Sequence, residues 1–130
     1  MIAIAEFTIS RWETEVPFDA PAAGPSRERV FVDKTFNGDV AGTSSAVLMT
    51  CQVSDEQAGY LASERLTVSI EGRSGTFVMH HGGTVEGKVI DQFGKIIPGS
   101  GTGELAGISG TGVFKHDTEG AIFTLDYELN

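Results

Sequence analysis

Apolar and polar residues alternate with a period of two along most of this 130-residue chain. No segment longer than about ten residues carries a helical period, so the pattern predicts an all-β protein. A first strand is expected from about Ile2 to Trp12, with Ala3, Ala5, Phe7 and Ile9 on one face and Glu6, Thr8 and Ser10 on the other. A loop holding Pro17, Pro21 and Pro25 follows, since proline removes ladder donors. The second strand, Arg29 to Phe36, sets Val30, Val32, Lys34 and Phe36 against Phe31, Asp33 and Thr35. Asn37-Gly38 then turns the chain, because both residues tolerate positive φ. A third strand is expected over roughly Val40 to Val53, with Gly42 as a candidate bulge.

Ser54-Asp55-Glu56-Gln57 reads as a connection. The cleanest alternation runs from Tyr60 to Ile70, where Tyr60, Ala62, Leu66, Val68 and Ile70 share one face. Glu71-Gly72-Arg73-Ser74-Gly75 reads as a turn into a strand over Thr76 to His81. Gly82-Gly83 and Gln92-Phe93-Gly94-Lys95 read as further turns around a short strand. Strands near Ile96 to Leu105, Gly110 to His116 and Ala121 to Leu129 complete the chain, the last two joined across Asp117-Thr118-Glu119-Gly120.

Eight or nine short strands joined by short turns imply a sandwich or a barrel. Composition decides between them: 13 of the 17 glycines lie between Gly72 and Gly120. Strands that coil round to close need glycine bends, and closure removes open edges. The expectation is a single small closed antiparallel β-barrel of about eight strands, one domain over residues 1–130, with no repeat or linker to divide it.

The formal charge is −9, from 18 acidic and 9 basic side chains, and both halves of the chain are acidic. No basic stripe exists, so nucleic acid and anionic membrane surfaces are not expected partners. No apolar run reaches the length of a membrane span, and the first residues lack a basic, apolar leader pattern. A cytoplasmic location is the resulting expectation. Cys51 is the only cysteine, which excludes an intramolecular disulfide and a cysteine-based zinc site.

Several motifs tempt and fail. Gly82 to Lys88 has phosphate-loop spacing, but Val89 stands where Ser or Thr must be. Gly101-Thr102-Gly103 mimics a dinucleotide fingerprint without a βαβ unit, and Ser100 lacks the spacing of a nucleophile elbow. His80 and His81 point to opposite faces of a strand and do not share one metal ion. No metal or cofactor is expected. More informative are polar groups on apolar faces. Glu64 lies between Ala62 and Leu66 on the face of Tyr60, and if that face is buried its carboxylate must be paired, hydrogen-bonded or protonated. Lys34, between Val32 and Phe36, is the mirror case and a candidate counter-ion. A structural ion pair and a ligand-contacting role both fit these two residues. Arg73 fits a rim anion-binder or a brace for its turn, and Trp12 a barrel mouth or a structural plug.

Arg11-Trp12-Glu13, Lys34 to Gly42, Tyr60-Leu61-Ala62-Ser63-Glu64, Gly72 to His81, Pro98 to Gly107 and Leu125-Asp126-Tyr127 form a pattern spanning nearly the whole chain. It resembles a bacterial family grouped as a domain of unknown function, DUF3224, whose structures look like the allene oxide cyclase barrel. The resemblance implies a small closed barrel that self-associates as a homo-oligomer, and it supplies no activity. Tyr60, Glu64, Arg73 and His81 match the family pattern, whereas His80 stands where the family more often has glutamine.

The leading expectation is a binding module that holds one small, apolar or lipid-like ligand. Glu64, with Tyr60 and Lys34, would orient its polar end, and Trp12, Arg73 and His81 would line the entrance. One alternative is a cyclase or isomerase for an unsaturated or oxidised lipid, with Glu64 as acid or base, which requires a raised Glu64 pKa. Another is a structural, self-associating barrel with a filled interior.

Overall fold

A computed structural model describes residues 1–16 and 18–129, so Pro17 of the proline loop lies outside the described residues. Eight antiparallel strands close into one barrel in the order of the sequence, with β8 returning to β1. They are β1 (Ile2–Thr14), β2 (Arg27–Gly38), β3 (Val40–Gln52), β4 (Gln57–Ile70), β5 (Arg73–Glu86), β6 (Val89–Ile96), β7 (Ser109–Asp117) and β8 (Gly120–Glu128). Among the described residues, no helix is long and apolar enough to cross a membrane.

The alternation read from the sequence sets the inside of the barrel. Ala3, Ala5 and Phe7 of β1, Val30, Val32 and Phe36 of β2, and Ala62, Leu66, Val68 and Ile70 of β4 are all buried. The register shifts once in β1, between Ile9 and Arg11. Ser10 is the extra residue there, and the shift turns Trp12 onto the row of Val32. Gly42 is not a bulge. Its register runs unbroken against both Phe36 and Val68. It is needed for close approach, because a Cβ there would stand 2.3 Å from the Thr67 carbonyl oxygen at a φ of +143°.

Three other expectations are corrected. Gly82-Gly83 is no turn but the middle of β5, and Gln92 to Lys95 lies within β6. The chain reverses instead at Gly87-Lys88. Gly82 is glycine because a Cβ would meet the Tyr60 carbonyl oxygen at 2.7 Å and the Leu61 and Phe93 side chains at 3.0 Å. The stretch from Ile97 to Leu105 is not a strand either; it leaves the sheet and ends in a 3-10 turn, Gly103–Leu105. Two backbone bonds, from the Ile97 N–H to the Val78 carbonyl and from the Thr102 N–H to the Thr76 carbonyl, hold it to β5 at 2.8 Å each, and hydroxyls add two more. The Val78 N–H donates to Ser100 Oγ at 3.0 Å, and the Thr76 N–H donates to Thr102 Oγ1 at 3.1 Å. The loop thus lies along the start of β5 and carries Leu105 and Ile108 into the core. Between β6 and β7 the sheet pairs only at Lys95 and Thr111.

The two ends of the barrel differ. Leu105 and Ile108 plug the end that holds the Glu71-Gly72 turn, packing with Phe77, Ile70, Leu125 and Tyr127. At the other end β1 meets β8 only from Ile2 to Glu6, so β1 to β6 stand out beyond it as a lip. A smaller apolar cluster, Val30, Val32, Ala46, Leu48 and Ala62 with Tyr60 against it, lines that open end.

Candidate functional site

Between the two apolar clusters lies a polar layer. Read along β4, Tyr60 and Ala62 belong to the open end and Leu66, Val68 and Ile70 to the plugged end, with Glu64 between them. Lys34 divides β2 in the same way, and Ser44 divides β3. Lys34 and Ser44 are directly opposite. Glu64 is a diagonal neighbour of Ser44 on one side and of His81, opposite Ala62, on the other. Strand periodicity and register alone therefore bring four polar side chains from β2 to β5 to one height inside the barrel.

All four are buried: Glu64 is 0% exposed, His81 3%, Lys34 6% and Ser44 6%. A carboxylate in such a place is costly unless it is paired and hydrogen-bonded. Oε1 of Glu64 accepts from Lys34 Nζ at 2.9 Å and from His81 Nε2 at 2.8 Å, and Oε2 accepts from Ser44 Oγ at 2.6 Å. Among the described residues no buried side-chain polar atom lacks a partner. The far wall of the barrel completes the setting. Lys34 Nζ lies 3.9 Å over the centre of the Phe114 ring and 5.2 Å from that of Phe7, while the His81 ring lies 4.5 Å from Phe114.

Burial pushes the Glu64 carboxyl up, but the His81 hydrogen bond, the Lys34 charge and the Ser44 hydroxyl together outweigh it and hold the group below its ordinary range. The raised value that an acid role would require is therefore not found. Tyr60 extends the layer toward the open end, its hydroxyl 3.0 Å from His81 Nδ1. Burial, and then the Glu64 charge, raise its phenol above the ordinary value. It stays a neutral hydroxyl at physiological pH.

Lys34, Tyr60, Glu64 and His81 are thus brought together, and Trp12 and Arg73 are not. Arg73 opens β5 opposite Ile70, at the plugged end. Trp12 stands on the lip, 56% exposed. His81 lies inside the barrel rather than at its entrance, while its neighbour His80 faces outward. Ser44 and Phe114 are members that sequence reasoning did not single out. Ser44 was legible as a hydroxyl set between Val40 and Ala46 on the face that also carries Leu48, whereas the approach of Phe114 across the barrel left no local sign. Among the described residues no group of three metal-ligating side chains occurs.

At the open end a groove of about 640 Å³ crosses the lip of β2 to β6. Met49, Leu61 and Phe93 give it apolar walls, and Arg27 and Asp91 are polar members of its lining. Met49, Leu61 and Phe93 stand in register with Gly82 on the outward face, whereas the Tyr60 side chain is directed inward to His81.

Residues 3–129 match the family described as "Protein of unknown function (DUF3224)". No curated protein matches the chain. The crystal structure of a protein of unknown function from the DUF3224 family of Shewanella oneidensis MR-1 superposes with a TM-score of 0.91, covering 100% of this chain and 97% of that one. The two sequences are 24% identical, so this likeness is one of fold.

Proposed function

Because the chain belongs to the DUF3224 family of proteins of unknown function, we propose from the geometry of the site that it is a binding module for one small, largely apolar molecule, held in the groove at the open end of the barrel. The observation that carries this reading is the apolar row of Met49, Leu61 and Phe93, which the register aligns across Gly82 on the outward face and which leaves Leu61 and Phe93 more than half exposed along the groove. The groove falls within the size range of small-molecule sites, and it joins apolar walls to a few polar groups, as such sites do.

The cyclase or isomerase reading is weaker. A hydroxyl, an imidazole and a carboxylate stand in line, as in a nucleophile relay, but Glu64 already accepts three hydrogen bonds, and the Tyr60 phenol is shifted away from ionisation. The test is Nile red, a neutral dye whose emission rises in apolar sites. The intact protein is expected to enhance it saturably with a stoichiometry of one per chain, and Phe93→Asp, at an exposed position, is expected to abolish the enhancement while leaving thermal unfolding in place. A signal unchanged by Phe93→Asp would remove the groove from consideration. Native mass spectrometry of the same sample reads co-purified ligand and subunit number together.

A further inference from the structure

The groove lies on the outer wall of the barrel, and register fixes what surrounds it. Arg29, Met49, Leu61, Gly82 and Phe93 form one row across β2 to β6, and the next row toward the lip begins at Arg27, passes Gly59 and ends at Asp91. Val47 and Val53 on β3 and Val89 on β6 extend the exposed apolar patch. Gly59 and Gly82 lower the middle of this convex wall, so another molecule can approach its backbone closely. Charge indicates which molecule. Among the outward positions of this face, Arg27, Arg29 and Lys95 stand against Asp91 and Glu86, whereas the whole chain has 18 acidic and 9 basic side chains. An acidic protein meets its own kind with least repulsion where the acidic excess is missing.

The face is complementary to itself. A two-fold axis lying over β4 and along the strands leaves each row at its own height and exchanges its ends. It sets Arg27 against Asp91 of the second copy, Arg29 against Phe93, Met49 over the hollow at Gly82, and Leu61 against its own equivalent. An axis across the strands at Leu61 would instead set Arg29 on Arg29 and Gly82 on Gly82. Only the first fills the hollow and keeps the arginines apart. Resting on the reading that the groove binds an apolar molecule, we infer that each groove is half of a site: a second copy of this chain docks on this face about that axis and roofs the groove, its Met49 and Leu61 completing the walls. A groove on an outer wall leaves one side of its ligand in water, whereas small-molecule sites bury roughly 70–90% of theirs. Five strands at about 4.8 Å and the residues Val47 to Val53 at about 3.3 Å each make a face about 24 Å by 23 Å. That is near the roughly 600 Å² a side at which specific interfaces begin.

Sedimentation velocity of the intact protein without dye is expected to show monomer giving way to dimer between about 1 and 100 µM. Asp91→Arg sets arginine against Arg27 at both ends of the row, and Arg27→Asp sets carboxylate against Asp91. Each is expected to weaken dimerisation at least about tenfold. Mixing the two variants places an opposite pair at each end again, and a heterodimer is expected at about the concentration the parent needs. The Asp91→Arg result stands even if Arg27→Asp, which also loses its bond to Asp19, does not fold. Nile red enhancement, followed over the same concentrations, should rise with the dimer fraction. A monomer at about 100 µM, an Asp91→Arg variant that dimerises like the parent, or a mixture of folded variants no better than its parts overturns the inference. Dye held as tightly by the monomer also overturns it and leaves the groove as a complete site. A dimer that binds no dye overturns the binding reading and leaves the interface.

Discussion

Lys34 Nζ lies 2.9 Å from Glu64 Oε1 and 3.9 Å over the Phe114 ring, so one ammonium ties β2 to β4 across β3 and also faces the far wall of the barrel. The arrangement is held by mutual dependence. Each charge is tolerable in the interior only because the other is there.

Removing either partner should therefore cost more than removing both. Glu64→Gln and Lys34→Met are each expected to lower unfolding free energy by about 3–5 kcal/mol, whereas the double variant Lys34→Met/Glu64→Leu is expected to lose well under the sum. Arg65→Ala, at the outward neighbour of Glu64, should stay within about 0.5 kcal/mol. Urea unfolding of the set measures this. A double variant as damaged as the two single variants added together would show that the pair is not coupled.

The same carboxyl sets an acid limit. Its value in the folded protein lies below the ordinary 4.5, the His81, Lys34 and Ser44 interactions outweighing burial. A depressed folded value means that the stability it contributes is complete above the unfolded value and is lost as pH falls through the folded one. The urea midpoint should hold steady down to about pH 5 and then fall below about pH 4.5, more steeply in the parent than in Glu64→Gln. Parallel acid limbs in the two proteins would assign the loss to other carboxylates.

The plug loop should answer to a single hydroxyl. Ser100 Oγ accepts from the Val78 N–H at 3.0 Å and donates to the Val78 carbonyl at 3.3 Å. Ser100→Ala leaves the Val78 N–H without that partner, while the Val78 carbonyl keeps the Ile97 N–H at 2.8 Å, at a cost of about 1–3 kcal/mol. Hydrogen exchange at Val78 should accelerate more than at Val32, three strands away on β2. Uniform acceleration would mean that the loop has no separate opening.

Trp12 and Arg73 should have little to do with the groove. Trp12 is 56% exposed on the lip of β1, and Arg73 sits at the plugged end beside the Glu71-Gly72 turn. Trp12→Ala and Arg73→Ala are each expected to leave Nile red affinity within about twofold, since neither lines the groove. A tenfold loss in either would move the binding site elsewhere.

What the sequence disclosed and what it hid follow from the range of the interactions. Glu64 and Lys34 were legible as a pair because a polar residue at an inward position of a period-two strand is a local fact, and burial then demands a partner. The strand pattern of β1 to β4 and of β7 and β8 was local in the same sense. The Gly82-Gly83 pair was misread because tandem glycine signals a turn, whereas here the missing side chain makes room for Leu61 and Phe93 from neighbouring strands. The stretch from Ile97 to Leu105 was misread because it is held to β5 by two isolated backbone bonds and by the Ser100 and Thr102 hydroxyls, which follow no period. Arg73 shared a strand with His81, and only the register showed that the length of the barrel separates them.

Each ladder but one joins strands that follow each other in the sequence. The exception, Ile2 to Glu6 against Ile122 to Asp126, joins residues that are roughly 120 positions apart. A chain of this kind acquires its hairpins one after another with small entropic losses, and meets the large one when the ring shuts. The rate of folding is then governed by β8 finding β1. Until it does, the protein is an open ribbon whose outer strands each carry a row of unsatisfied amides, and at high concentration that row can pair with a second molecule before it pairs with its own chain.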